Sequence, residues 1–105
     1  MKEPLRNDEQ NKKMWAMLHD VSKQVKWSVN GSIGYLDEAD WKDIFTAGLT
    51  KHQRVAQGIE GGWVMLGLRT SKMTKSQMAE LIEYMYAFGA NHNVVWTEGE
   101  NDVQR

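Results

Sequence analysis

Asp8-Glu9-Gln10-Asn11-Lys12-Lys13-Met14-Trp15-Ala16-Met17-Leu18-His19-Asp20-Val21-Ser22-Lys23-Gln24-Val25-Lys26 is the stretch on which the fold reading turns. Met14, Leu18, Val21 and Val25 recur at alternating intervals of four and three residues, which stacks them into one stripe of an α-helix. Asn7 and Asp8 are residue types that cap helix N-termini, and Asp8 and Glu9 suit the positive end of the helix dipole. Lys12, Lys13 and Lys23 fall off the stripe. The spacing therefore predicts a helix from about Asp8 to Lys26.

Upstream, residues 1–6 are polar, hold the only proline (Pro4) and read as a frayed lead-in. Downstream, Ser28-Val29-Asn30-Gly31-Ser32-Ile33-Gly34-Tyr35 reads as a loop, because two glycines and an asparagine break any period. A second helix is predicted from Glu38 to about Leu49, capped by Asp37, with Trp41, Ile44, Phe45 and Leu49 as its buried face. Gly48 weakens it unless another group packs close. Glycines at 58, 61 and 62 and the run Trp63-Val64-Met65-Leu66 predict a hairpin with arms near Arg54–Gln57 and Trp63–Leu68. Thr74-Lys75-Ser76-Gln77 fits a capping box before Met78, Leu81, Ile82, Met85 and Phe88, so a third helix follows and ends near Gly89. Asn93-Val94-Val95-Trp96 reads as extended, and 97–105 as a polar acidic tail. The fold class is α+β: one domain over 1–105, three helices packed around a short β-hairpin.

A chain of 105 residues supports a single core, and 41% hydrophobic with 26% charged residues is a globular composition. Having no Cys, it has no disulfide and no thiolate nucleophile, and the usual zinc modules are excluded. No signal peptide and no membrane-length apolar run is legible, so a cytoplasmic protein is expected. The net charge of −1 conceals alternating blocks. Lys12, Lys13, Lys23 and Lys26 are opposed only by Asp20, and Lys51, Arg54, Arg69, Lys72 and Lys75 only by Glu60. The blocks at 37–43 and 80–105 are acidic. This arrangement suits either a basic face or plain solvated charge.

No serine sits in a nucleophile elbow, and no glycine-rich turn matches a phosphate or dinucleotide loop. His19 reads as a helix-surface residue. A nuclease built on Asp40, other carboxylates and the three histidines is the alternative reading, but it lacks strands to carry it. Trp15, beside Lys12 and Lys13, is either core or a platform for a stacked base. Trp41, Trp63 and Trp96 read as core by spacing, while Trp27 fits either environment. Arg69-Thr70-Ser71-Lys72-Met73 joins cations, hydroxyls and free N–H groups ahead of a helix, which suits a phosphate and equally a polar connection.

Gln10-Asn11-Lys12-Lys13-Met14-Trp15, Asp20-Val21-Ser22-Lys23-Gln24-Val25-Lys26-Trp27 and Trp41-Lys42 stand in a familiar order. Phe45-Thr46-Ala47-Gly48-Leu49, Thr70-Ser71-Lys72-Met73, Ala79-Glu80-Leu81-Ile82-Glu83, Ala87-Phe88-Gly89 and Val95-Trp96 continue it. Over roughly residues 6–98 the chain resembles the NinB family, the Orf recombination proteins of lambdoid phages. Relatives of that kind carry a further N-terminal segment with strands before the Gln-Asn motif. The resemblance implies a non-enzymatic mediator of phage recombination in a bacterial host. It would be a homodimer, needing no cofactor or metal, that binds single-stranded DNA and cooperates with the host single-strand DNA-binding protein.

Carried onto this chain, the resemblance implies DNA contacts by Gln10, Trp15 and Lys72. With the neighbouring motif and basic-block residues, the candidate DNA-facing set also includes Asn11, Lys12, Lys13, Lys51, Arg54, Arg69 and Ser71. A dimer is also expected on physical grounds, since a two-stranded hairpin and five Trp leave more apolar surface than three helices readily cover.

Overall fold

The computed structural model describes residues 4–49, 54–66 and 70–97. In chain order its elements are α1 (Asp8–Gln24), β1 (Lys26–Val29), β2 (Ser32–Tyr35), α2 (Glu38–Gly48), β3 (Arg54–Gln57), β4 (Trp63–Leu66), a 3₁₀ turn (Thr70–Lys72) and α3 (Lys75–Asn91). The fold is α+β with three helices and two small antiparallel hairpins.

The β1–β2 hairpin is not among the sequence expectations. Residues 28–35, read as a loop, are most of β1 and β2, which pair from Lys26↔Tyr35 to Val29↔Ser32. The turn is Asn30-Gly31, with φ of 52° and 82°. Two consecutive positive φ values are what a two-residue type I′ hairpin turn requires, and Asn-Gly is its preferred sequence. The Asn-Gly pair that breaks the helical period is thus the turn that joins two strands. Because β1 takes over at Lys26, α1 ends two residues earlier than the periodicity suggested.

Local chemistry sets the helix ends. Asn7 caps α1 and Thr74 caps α3, each in a capping box closed by the glutamine three residues on, Gln10 and Gln77. Asp37 caps α2 through Asp40 N–H. Gly89 does not end α3, which continues to Asn91. The residue that leaves the helical region is Asn93, with φ of 59°, and Val94 N–H then bonds back to the Gly89 carbonyl. Gly89 has another use: a Cβ there would overlap the Trp96 indole, so its bare backbone seats that ring. Gly48 likewise lies under the Tyr84 hydroxyl, the close approach that a glycine inside α2 called for.

The core lies between the three helices. Met14, Met17, Leu18 and Val21 of α1 meet Trp41 and Phe45 of α2 and Met78, Leu81 and Met85 of α3, all essentially inaccessible. Trp27 on β1 turns inward and brings the first hairpin onto this core, its ring 5.4 Å from Trp41 and 5.6 Å from Phe88. Trp96 packs at the margin against Tyr86, but Val94–Trp96 form no strand. Trp63 is not core: it is 75% exposed on β4, because β3 and β4 pair mainly with each other. The β4 arm is described only to Leu66, and the expected extension to Leu68 lies outside the described residues.

Two segments read as loose are tied down. Residues 4–6 run beside the start of α3: Arg6 N–H donates to the Met73 carbonyl at 3.0 Å and Lys75 N–H to the Pro4 carbonyl at 3.1 Å. Thr97, placed at the start of the tail, donates from its N–H to the buried Asp20 carboxylate at 3.1 Å and from its hydroxyl at 3.2 Å. Gln24 pairs its amide with both N–H and C=O of Val95, each at 2.9 Å. The rest of the tail lies outside the described residues.

Trp41→Ala is expected to cost about 3–5 kcal/mol, a large part of the stability of a domain this small. Thermal melting followed by circular dichroism measures it; a change below about 1 kcal/mol would contradict the central role of this ring.

Candidate nucleic-acid interface

The lead-in strap brings the start of α1 and the approach to α3 together. Arg6 Nε donates to the Thr70 carbonyl at 2.6 Å, across 64 residues of chain. Gln10 Nε2 donates to the Lys75 carbonyl at 3.1 Å. The N-termini of α1 and α3 are therefore neighbours, with Arg6, Ser71, Lys72 and Lys75 around their junction. Ser71 and Lys72 are exposed on the 3₁₀ turn, while Thr70 is buried. Arg6 and Lys75 were not singled out in the sequence. Nothing local marks Arg6, whose placement comes from long-range backbone pairing.

Gln10 uses one donor and one acceptor site of its side-chain amide at the junction. Its Oε1 accepts from Asn7 N–H at 3.3 Å to close the capping box, and its Nε2 is taken by Lys75. It positions the junction. Asn11 is half-buried, and its Oδ1 has no hydrogen-bond partner.

The other α1 candidates divide between two sides of the helix. Lys13 and Trp15 are two residues apart, so they leave the axis about 160° from each other. Lys13 lies toward α3, its ammonium 5.1 Å from the centre of the Tyr86 ring. Trp15 lies toward α2, 38% exposed, with the Lys42 ammonium 5.5 Å from its ring centre. Exposed Lys12 is one turn before Trp15 on that same side. Trp15 is thus outside the core, and Lys13 does not share its face. Arg54 opens β3 opposite Leu66. Lys51 and Arg69 lie outside the described residues.

Further along the α1–α2 side, His19 is indeed a surface residue, its Nδ1 bonded to Glu38 Oε2 at 2.9 Å. That bond, helped by the Glu38 backbone N–H, holds the Glu38 carboxyl below the usual carboxylate range. Lys26 reaches over Tyr35, its ammonium 5.5 Å from the ring centre. Among the described residues no three His, Asp or Glu side chains are grouped to hold a metal ion, and no helix is long and apolar enough to cross a membrane.

Comparison with known proteins adds a lineage to this geometry. The family model described as NinB protein matches residues 1–97. The P21 prophage-derived protein NinB of Escherichia coli O6:H1 is 44% identical over 94 residues, as is the protein ninB of Salmonella phage P22, and that of Escherichia phage lambda is 43% identical. Each alignment covers 89% of this chain and 61% of the relative, so the chain spans about three fifths of their length. A solved structure titled NinB superimposes with a TM-score of 0.72 at 39% identity, covering 99% of this chain and 71% of that one. With the family model and these relatives in agreement over nearly all of its length, the chain belongs to the NinB family.

Proposed function

We propose that this protein is a single-stranded DNA-binding accessory factor of phage recombination, working without chemistry of its own in the cytoplasm of the bacterial host. The observation that carries the reading is the junction of the α1 and α3 N-termini, which gathers Arg6, Lys72 and Lys75 at the positive ends of two helix dipoles. Positive dipole ends and side-chain cations form a setting for backbone phosphates. Ser71 adds an exposed hydroxyl. Trp15, open to solvent beside Lys42, adds an aromatic surface on which a base can stack without sequence preference. The metal-dependent nuclease has no grouping of side chains in its favour among the described residues.

We further propose that the protein acts as a homodimer through β3 and β4. Val55, Ile59, Trp63 and Val64 are about half to fully exposed on this hairpin, and a second copy would cover them. Cooperation with the host single-strand DNA-binding protein completes the reading. Pull-down of that protein with and without DNA tests it, and loss of capture in both conditions would refute it.

Gel shift of an unstructured oligonucleotide at low salt tests DNA binding directly; no shift would refute it. Lys72→Glu is expected to weaken binding and to reduce the slope of log affinity against log salt by about 0.7 or more, as loss of a phosphate contact requires. The fold should remain, since exposed charge changes move stability by less than about 0.5 kcal/mol. Trp15→Ala is expected to cost about 1–2 kcal/mol of stability, well below Trp41→Ala, while DNA affinity falls roughly tenfold. Trp63→Glu is expected to convert the dimer to a monomer in sedimentation velocity with an unchanged far-ultraviolet spectrum; a wild-type monomer at micromolar concentration would rule the dimer out.

A further inference from the structure

The side of the molecule where α1 meets α2 carries a repeated feature that the phosphate junction does not use. α1 and α2 run antiparallel there, so Trp15 meets Lys42 and His19 meets Glu38. Beyond this pair of helices the same pattern returns at the first hairpin, whose end residues are cross-strand partners: Lys26, two residues after α1, and Tyr35, three before α2. Lysine lies over an exposed aromatic ring at both ends of the seam, with a hydrogen-bonded His–Glu pair between them.

Charge along the seam favours an anionic strand. Lys12, Lys23, Lys26 and Lys42 border it, against the single carboxylate of Glu38, which is hydrogen-bonded to His19 and lies within the field of Lys23. The other carboxylates of α2, Asp40 and Asp43, belong to its far side, where they line a hollow with Val29, Leu36 and Ile44. The two rings differ from the buried aromatics in being open, Tyr35 at 60% and Trp15 at 38%. A lysine ammonium lies 5.5 Å from the centre of each ring, so a cation adjoins each exposed aromatic surface. By helical rise, Trp15 and the start of the hairpin are about 15 Å apart, a span of a few nucleotides.

We propose that the α1–α2 seam is a second DNA-contacting surface, on which Trp15 and Tyr35 each stack a base of single-stranded DNA while Lys42 and Lys26 hold the adjoining phosphates. Tyr35, Lys26 and Lys42 thereby join the binding residues, and the strand passes along this side of α1 instead of the side where Lys13 meets Tyr86. This inference rests on the DNA-binding reading above, and its test separates the two.

Fluorescence anisotropy with a labelled oligo-dT at low salt is the measurement. Tyr35→Ala is expected to lower affinity about five- to one-hundred-fold, as loss of one stacked base does, whereas Tyr35→Phe keeps it near wild type. Lys42→Gln is expected to reduce the salt slope by about 0.7. Wild-type protein binding DNA while Tyr35→Ala and Lys42→Gln bind equally well would overturn the seam and leave the phosphate junction standing; wild-type protein that binds no DNA would remove both. Crosslinking of wild-type protein to an iododeoxyuridine oligomer, mapped by mass spectrometry, needs no variant to fold. Adducts on Tyr35 support the seam, and adducts confined to Arg6, Trp15 and 70–75 overturn it.

Discussion

The indole of Trp41 lies against Trp27, Phe45 and Phe88, with ring centroids 5.4, 5.6 and 5.5 Å away, and the remainder of the structure is arranged around that contact. Trp27 brings in the first hairpin, Phe45 extends the ring cluster along α2, and Phe88 supplies the face of α3. His92, stacked on Phe88 at 4.1 Å, closes the cluster at the end of α3. Tilted and edge-on rings at these distances add to the stabilisation from area alone, by about 0.5–1.5 kcal/mol per pair. The Trp41 Nε1 donor is buried without a partner, a cost that the packing of the ring must exceed.

Around the rings the core is filled by methionine. Met14, Met17, Met73, Met78 and Met85 are all buried and come from α1, α3 and the turn before it. An unbranched, polarisable side chain adapts to irregular gaps between packed helices. Met73 also connects core to surface: its side chain is inside, while its carbonyl takes the Arg6 N–H that straps the lead-in to α3. The junction of the α1 and α3 N-termini is therefore positioned by the same residue that completes the core beneath it.

Two surfaces emerge on different sides of α1. One gathers cations at the N-termini of α1 and α3 and is suited to phosphates. The other pairs lysines with open aromatic rings along α1 and α2 and is suited to bases. The proposed binding of single strands draws on both kinds of contact, because charge gives affinity and stacking gives grip without readout. The exposed β3–β4 hairpin stands apart from both and leaves them free if it is the contact between copies.

The three helices, their capping residues and the β3–β4 hairpin were legible in the sequence, since spacing of three and four, capping boxes and glycine turns act over a few residues. So was the Asn30-Gly31 turn, although its meaning was missed. What the sequence left open was which of two equivalent environments a residue enters. Trp41 and Trp63 both sit in apolar patterns, yet one is fully buried and the other 75% exposed, because only the helices close over a ring while a lone two-stranded ribbon has no second layer. Lys13 and Trp15 are near neighbours in the chain, yet the packing of α3 on one flank of α1 and α2 on the other sends them to different surfaces. Arg6 reaches the site only through hydrogen bonds to residues more than sixty positions away. Local chemistry thus determined the elements, and tertiary packing alone decided which side chains share a surface, because that depends on contacts between segments whose separation no short-range pattern records.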